Sequence, residues 1–134
     1  MADGPDADGP DQVRLRDEQN IWLATTRPDG RPHLTPIWFV FVDGRFYVCT
    51  TTNSVKARNV RANAKASVAL ESGTRPVIAE GAARVLTRPY PPAVNAEFVR
   101  KFDWELDSEP EYDALIEVVP EKWLRWNAGP PSPN

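Results

Sequence analysis

The sequence predicts a mainly β domain: six short antiparallel strands and small helices forming a closed or nearly closed barrel. Three observations carry this expectation. Short apolar, β-branched runs follow one another at strand length, and Asp29-Gly30 and Asp43-Gly44 supply tight turns between the first of them. Helical spacing is confined to brief stretches. At 134 residues, 41% of them hydrophobic, with five Trp, five Phe and three Tyr, the chain suits one domain with a real core.

Residues 1–11 are rich in Gly, Pro and Asp and read as a disordered tail, as does 129–134. The domain then spans 12–128. Val13 to Glu18 reads as a helical turn. Ile21 to Thr25 is the first strand, His33 to Val42 a long second one, and Arg45 to Thr50 the third, together an antiparallel meander. Ser54 is a suitable N-cap for a short helix to Ala62. Lys65 to Glu71 alternates polar and apolar residues, and Arg75 to Thr87 continues the sheet, with Gly81 marking a bulge or barrel bend. Pro91 opens a helix to about Phe102. A polar linker, Asp103 to Glu111, leads to a last strand, Tyr112 to Val119, and a tail over Trp123 to Trp126. On the third strand Phe46 and Val48 face one way, Tyr47 and Cys49 the other. Its second apolar face requires a helix, a ligand or another subunit, and a homodimer is the expectation.

A net charge of −3 gives no general attraction to nucleic acid or anionic membrane, so any basic site is local. Cys49, the only cysteine, excludes an intrachain disulfide and fits a reducing cytoplasm. The acidic start lacks the apolar core of a signal peptide, and no apolar run approaches the ~20 residues of a membrane helix. The expected location is cytoplasmic.

The chemistry concentrates in Thr50-Thr51-Thr52-Asn53-Ser54-Val55-Lys56-Ala57-Arg58-Asn59, where a strand ends in hydroxyl residues and a helix begins at once. A helix start offers unpaired N–H groups and the positive end of its dipole. Lys56 and Asn59, three residues apart, can face one point, with Thr50, Thr51 and Ser54 as hydroxyl donors. Such a set suits a phosphate; the alternative is a capped helix with a solvated Lys-Arg face. Pro36 is the second feature, a residue that cannot donate within a strand and so marks an edge, a bulge or a place where a ligand lies against the backbone. Thr35 and Trp38 flank it. His33 reads as exposed or structural, and Cys49 as a small buried hydrophobe. Trp104, Trp123 and Trp126 read as packing or dimer contacts, or as an aromatic closing over a planar ring. No metal-ligand cluster, GxGxxG or Walker loop is present.

Taken together, Ile21–Thr26, Asp29–Trp38, Phe46–Thr50, Lys56–Val60 and Glu80–Ala83, with a looser echo in Phe102–Trp104 and Val119–Trp123, resemble the pyridoxamine-phosphate-oxidase-like split β-barrel family. The likeness is to its short members that bind FMN or the deazaflavin coenzyme F420. The resemblance implies a homodimeric split barrel with two cofactors at the subunit interface. Lys56 and Asn59 would hold the cofactor phosphate, Arg58 and the hydroxyls of Thr50, Thr51 and Ser54 would assist, and the ring would lie along Thr35, Pro36 and Ile37. The arginine-rich strand and C-terminal substrate motif of the true pyridoxamine phosphate oxidases are missing, so that substrate is not carried over.

The expected function is an oxidoreductase that uses F420 to reduce a small unsaturated molecule, with no acid or base residue singled out as catalytic. The alternatives are an FMN oxidoreductase on the same fold, and a non-catalytic cofactor carrier or barrel-type binding module. The acidic balance argues against nucleic acid as the partner.

Overall fold

The structure is a computed structural model and describes residues 9–125. The C-terminal tail and Trp126 lie outside them. Of the expected N-terminal tail, residues 9–11 are described, and Pro10 and Asp11 already belong to helix α1 (Pro10–Asp17). Proline suits a helix start because its missing N–H would be unpaired there. Arg14 then ties the turn together through Asp11 at 3.2 Å and Glu18 at 2.8 Å, and Leu15 is driven fully into the core.

The strands are β1 (Asn20–Thr26), β2 (Pro32–Trp38), β3 (Val40–Val42), β4 (Arg45–Thr50), β5 (Lys65–Leu70), β6 (Val77–Leu86) and β7 (Ala114–Arg125). Helices α2 (Val55–Ala62) and α3 (Pro92–Phe102) follow β4 and β6. All pairings are antiparallel, in the order β2-β1-β5-β6-β7-β4-β3. The six expected runs are present, but the long second one is divided at Phe39. Its first half pairs with β1 and its second with β4, so the two ends of the curled sheet belong to one continuous stretch. Phe39 is fully buried, and its N–H donates to the Gln19 carbonyl at 3.2 Å, which fixes the break. The expected meander is thus the turn by which the sheet curls on itself.

One core fills the curl, with Ile21, Leu23, Phe46, Val48, Val68 and Ile116 at its centre. A second lies on the opposite face of β4, where Tyr47 and Cys49 meet Val94 and Phe98 of α3, together with Tyr90, Leu106 and Leu115. The two faces of β4 therefore divide as the alternation predicts. The second is covered by α3 and the segment after it, so this face does not call for a second subunit. Gly81 sits at a register shift between β6 and β7, as expected of a bulge. The last strand runs far beyond Val119 and absorbs the predicted tail as far as Arg125. No described helix is long and apolar enough to cross a membrane.

Candidate functional site

The hairpin end of β1 and β2 and the first turn of α2 meet at one mouth of the curl. Ser54 caps α2 by accepting from the Ala57 N–H at 3.2 Å, and its own N–H donates to the Thr51 carbonyl at 3.1 Å. These two bonds stop β4 and start the helix within four residues. The helix start is thereby placed beside the turn that joins β1 and β2, where Val55 shares a cleft with Arg27 and Arg31.

Lys56 is half-buried, and burial depresses its pKa. Among the described residues it makes no ion pair. It lies close enough to His33 that its charge, with that of Arg27, adds to burial in lowering the His33 pKa. His33 and Thr35 share the inward side of β2, and His33 Nδ1 and Thr35 Oγ1 are both buried without a hydrogen-bond partner. Buried polar atoms are seldom left so, because each unpaired group costs about 1–3 kcal/mol. The two unpaired polar atoms thus lie on one side of β2, with the Lys56 charge near the first of them. Beside them, a cleft of about 460 Å³ is lined by Arg27, Asp29 and Arg31 of the turn and Val55, Arg58 and Asn59 of α2. Asp29 is engaged by Arg31 at 2.8 Å, which leaves Arg27, Arg58 and Lys56 as the positive balance.

The expected site residues are placed unequally. Pro36 is exposed in β2, opposite Trp22, and Ile37 packs on the core. Among the described residues β2 pairs with β1 alone, so the proline stands on an edge strand, as its chemistry requires. Ser54, Lys56 and Arg58 lie at the mouth. Thr50 and Asn59 are taken up by the protein instead. Thr50 is buried in the β4 ladder opposite Ala114. Asn59 is 2% exposed, and its amide donates to Thr25 Oγ1 at 3.1 Å, which ties α2 to β1. Helical spacing brings Asn59 below Lys56, on the side that packs, so its direct part is to seat the helix. Thr51 supplies the carbonyl that holds Ser54. His33, read as exposed or structural, is half-buried near Lys56, and the turn arginines had no signal beyond the Asp-Gly pair between them. Cys49 is buried, and burial pushes its thiol up to about 11, as suits an inert hydrophobe. No group of three or more His, Cys, Asp or Glu among the described residues is placed to hold a metal.

A curled antiparallel sheet closed through one bent strand, with a helix start and a polar strand side at its mouth, defines the split β-barrel class. The family model described as pyridoxamine 5'-phosphate oxidase matches residues 11–127, and the chain belongs to that family, which includes flavin-binding oxidoreductases. No curated protein matches the sequence. Among solved structures, the conserved hypothetical protein Rv2991 from Mycobacterium tuberculosis is similar with TM-score 0.71 and 24% identity, over 95% of this chain and 89% of that one. An F420 reductase aligns with TM-score 0.68 and 22% identity, over 84% and 94%. The heme storage protein HutZ from Vibrio cholerae aligns with TM-score 0.73 and 22% identity, over 90% and 94%. At these identities the likeness is one of fold.

Proposed function

We propose that the chain is an oxidoreductase that binds deazaflavin coenzyme F420 between α2 and β2 and uses it to reduce a small unsaturated molecule. The observation that carries the reading is that Lys56, without an ion pair among the described residues, lies near His33 on β2, whose Nδ1 is buried without a partner, as is Thr35 Oγ1 on the same side of the strand. A phosphorylated ligand with a hydrogen-bonding ring would supply what each group lacks. Lys56 and Arg58 would hold the phosphate, with the hydroxyls of Thr51 and Ser54 and the first-turn N–H groups assisting. The backbone of Thr35, Pro36 and Ile37 would support the ring. When bound, the cofactor supplies the hydride; the protein's share is binding, orientation and exclusion of water. The fold likeness to an F420 reductase favours F420, while FMN is the second reading, favoured by the flavin-binding family itself. The reading includes a homodimer with the cofactors at its interface.

Equilibrium titration with F420 and FMN side by side tests the reading. One of them is expected to bind, and Lys56→Ala is expected to weaken it about 10- to 100-fold, the range of a charged hydrogen bond worth about 1.5–3 kcal/mol. Unchanged affinity in the variant would remove the phosphate anchor from the proposal. An absorption spectrum of the flavin rather than the deazaflavin type in the purified protein would select FMN over F420.

A further inference from the structure

On the far side of Pro36 from the helix start, Trp38 closes a different kind of cleft. Its volume is about 700 Å³, within the range of small-molecule sites. Four of its lining residues are aromatic, Trp38, Phe102, Trp104 and Tyr112; the others are Asp103, Glu109 and Glu111, and no basic side chain is among them. The ring planes turn about a corner. Trp104 stands at 77° to Trp38 with centroids 6.0 Å apart, and at 87° to Tyr112 at 5.0 Å, while Phe102 backs Trp38 in a parallel stack at 4.4 Å. Trp38 remains 45% exposed despite that stack.

The acids come from one segment. Asp103 ends α3 in the left-handed conformation (φ 51°), and Glu109 and Glu111 follow within eight residues. The Glu111 carboxyl beside it raises the Glu109 carboxyl from its ordinary value. The neighbouring cations are committed elsewhere. Arg88 donates to the carbonyls of Leu106 and Glu109 at 2.6 and 2.8 Å, and Lys101 lies 3.8 Å over the Phe39 ring. Aromatic walls and unneutralised carboxylates have one shared preference, a cation whose charge is spread over alkyl groups. A quaternary ammonium is attracted to the ring faces and loses little hydration on entering them.

We infer that the cleft of Trp38, Trp104 and Tyr112 binds a small organic cation of the quaternary or N-alkylated ammonium class. Because Trp38 directly follows the Thr35–Ile37 stretch, the cation would be a non-reacting ammonium group carried by the unsaturated substrate of the proposed reductase. That last step rests on the reading of β2 as the ring-binding strand; cation binding itself does not.

Choline and its neutral isostere 3,3-dimethylbutan-1-ol are the probes, added to the protein without cofactor at constant ionic strength. Binding is read from Trp fluorescence and from the indole N–H resonances of Trp38 and Trp104. Choline is expected to saturate and to bind at least ten times more tightly than the isostere. The triple variant Asp103→Asn, Glu109→Gln, Glu111→Gln keeps the exposed loop's shape and is expected to lose at least tenfold in choline affinity. Single Trp104→Phe, which retains a ring but a weaker one, is expected to fall between. Equal binding of choline and the isostere, or an unchanged affinity in the triple variant, would overturn the inference. F420 and FMN titrations of the same triple variant are expected to match the wild type. Choline binding with neither cofactor bound by either protein would sink the reductase reading and leave the cation site standing.

Discussion

Two buried charges show how the same fold handles ionisation in opposite ways. Glu117 of β7 is 3% exposed, yet its carboxyl is lowered from its ordinary value. Burial pushes it up, but Arg84 Nε at 2.7 Å and the Tyr47 hydroxyl at 2.9 Å outweigh that, with Arg45 at 3.4 Å. Tyr47 and Arg84 lie directly opposite Glu117 on its two neighbouring strands, so the ladder itself delivers the partners. Lys101 has no carboxylate partner among the described residues. Packed over Phe39 and donating to the Leu15 carbonyl at 3.4 Å, it is pushed down to about 8, chiefly by burial. Its folded pKa lies below that of the unfolded chain, so between pH 8 and 10.5 the unfolded state binds more protons, and this residue's contribution to stability grows as pH rises. We expect urea unfolding to show a gain on the order of 1 kcal/mol across that window, discounted for the part of the side chain that water reaches, and Lys101→Met to abolish it. A gain that survives the substitution would assign the dependence to another group.

At the scale of elements, the bulge at Gly81 leaves no room for a side chain. A Cβ built there would lie 2.0 Å from the Val119 carbonyl oxygen. That contact is to backbone, which cannot swing aside. We expect Gly81→Ala to cost about 3 kcal/mol or more, the upper end of overpacking, measured as a fall in the urea midpoint; a loss below about 1 kcal/mol would mean that β7 shifts freely. Gly81 was legible because an isolated glycine in a strand pattern has few other uses. The ends of β4 and α2 were legible for a similar reason, since turn and cap chemistry are local. The break at Phe39 was not. Ile37 to Val42 is continuously apolar, and only the choice of partners, β1 before the break and β4 after it, divides the run. The burial of Asn59 was hidden because helical spacing left Arg58 and Asn59 interchangeable, and only the position of Thr25 decides between them. His33 and the aromatic corner at Trp104 depend on residues far apart in the chain, for which no local pattern exists.

For the whole molecule, the covering of β4 by α3 moves the case for a dimer to another surface. Leu34 is 60% exposed and Trp22 37%, on the outward side of β2, the strand proposed to carry the ring, and of its neighbour β1. Large apolar side chains grouped on a sheet face mark a contact surface more often than an ordinary one. Light scattering is expected to give twice the chain mass for the wild type and the single mass for Leu34→Glu. A monomeric wild type at micromolar concentration would remove the dimer from the proposal.

Pro36 then has a consequence for how two copies can meet. β2 is an edge strand, and an edge with a full row of free N–H groups invites another chain to add on and continue the ladder without limit. The missing donor at Pro36 interrupts that row at its middle. Edge-to-edge growth of this barrel is therefore opposed, whereas the face-on pairing proposed for it closes at two. The residue that first marked a place for a ligand also guards the sheet against becoming a fibre.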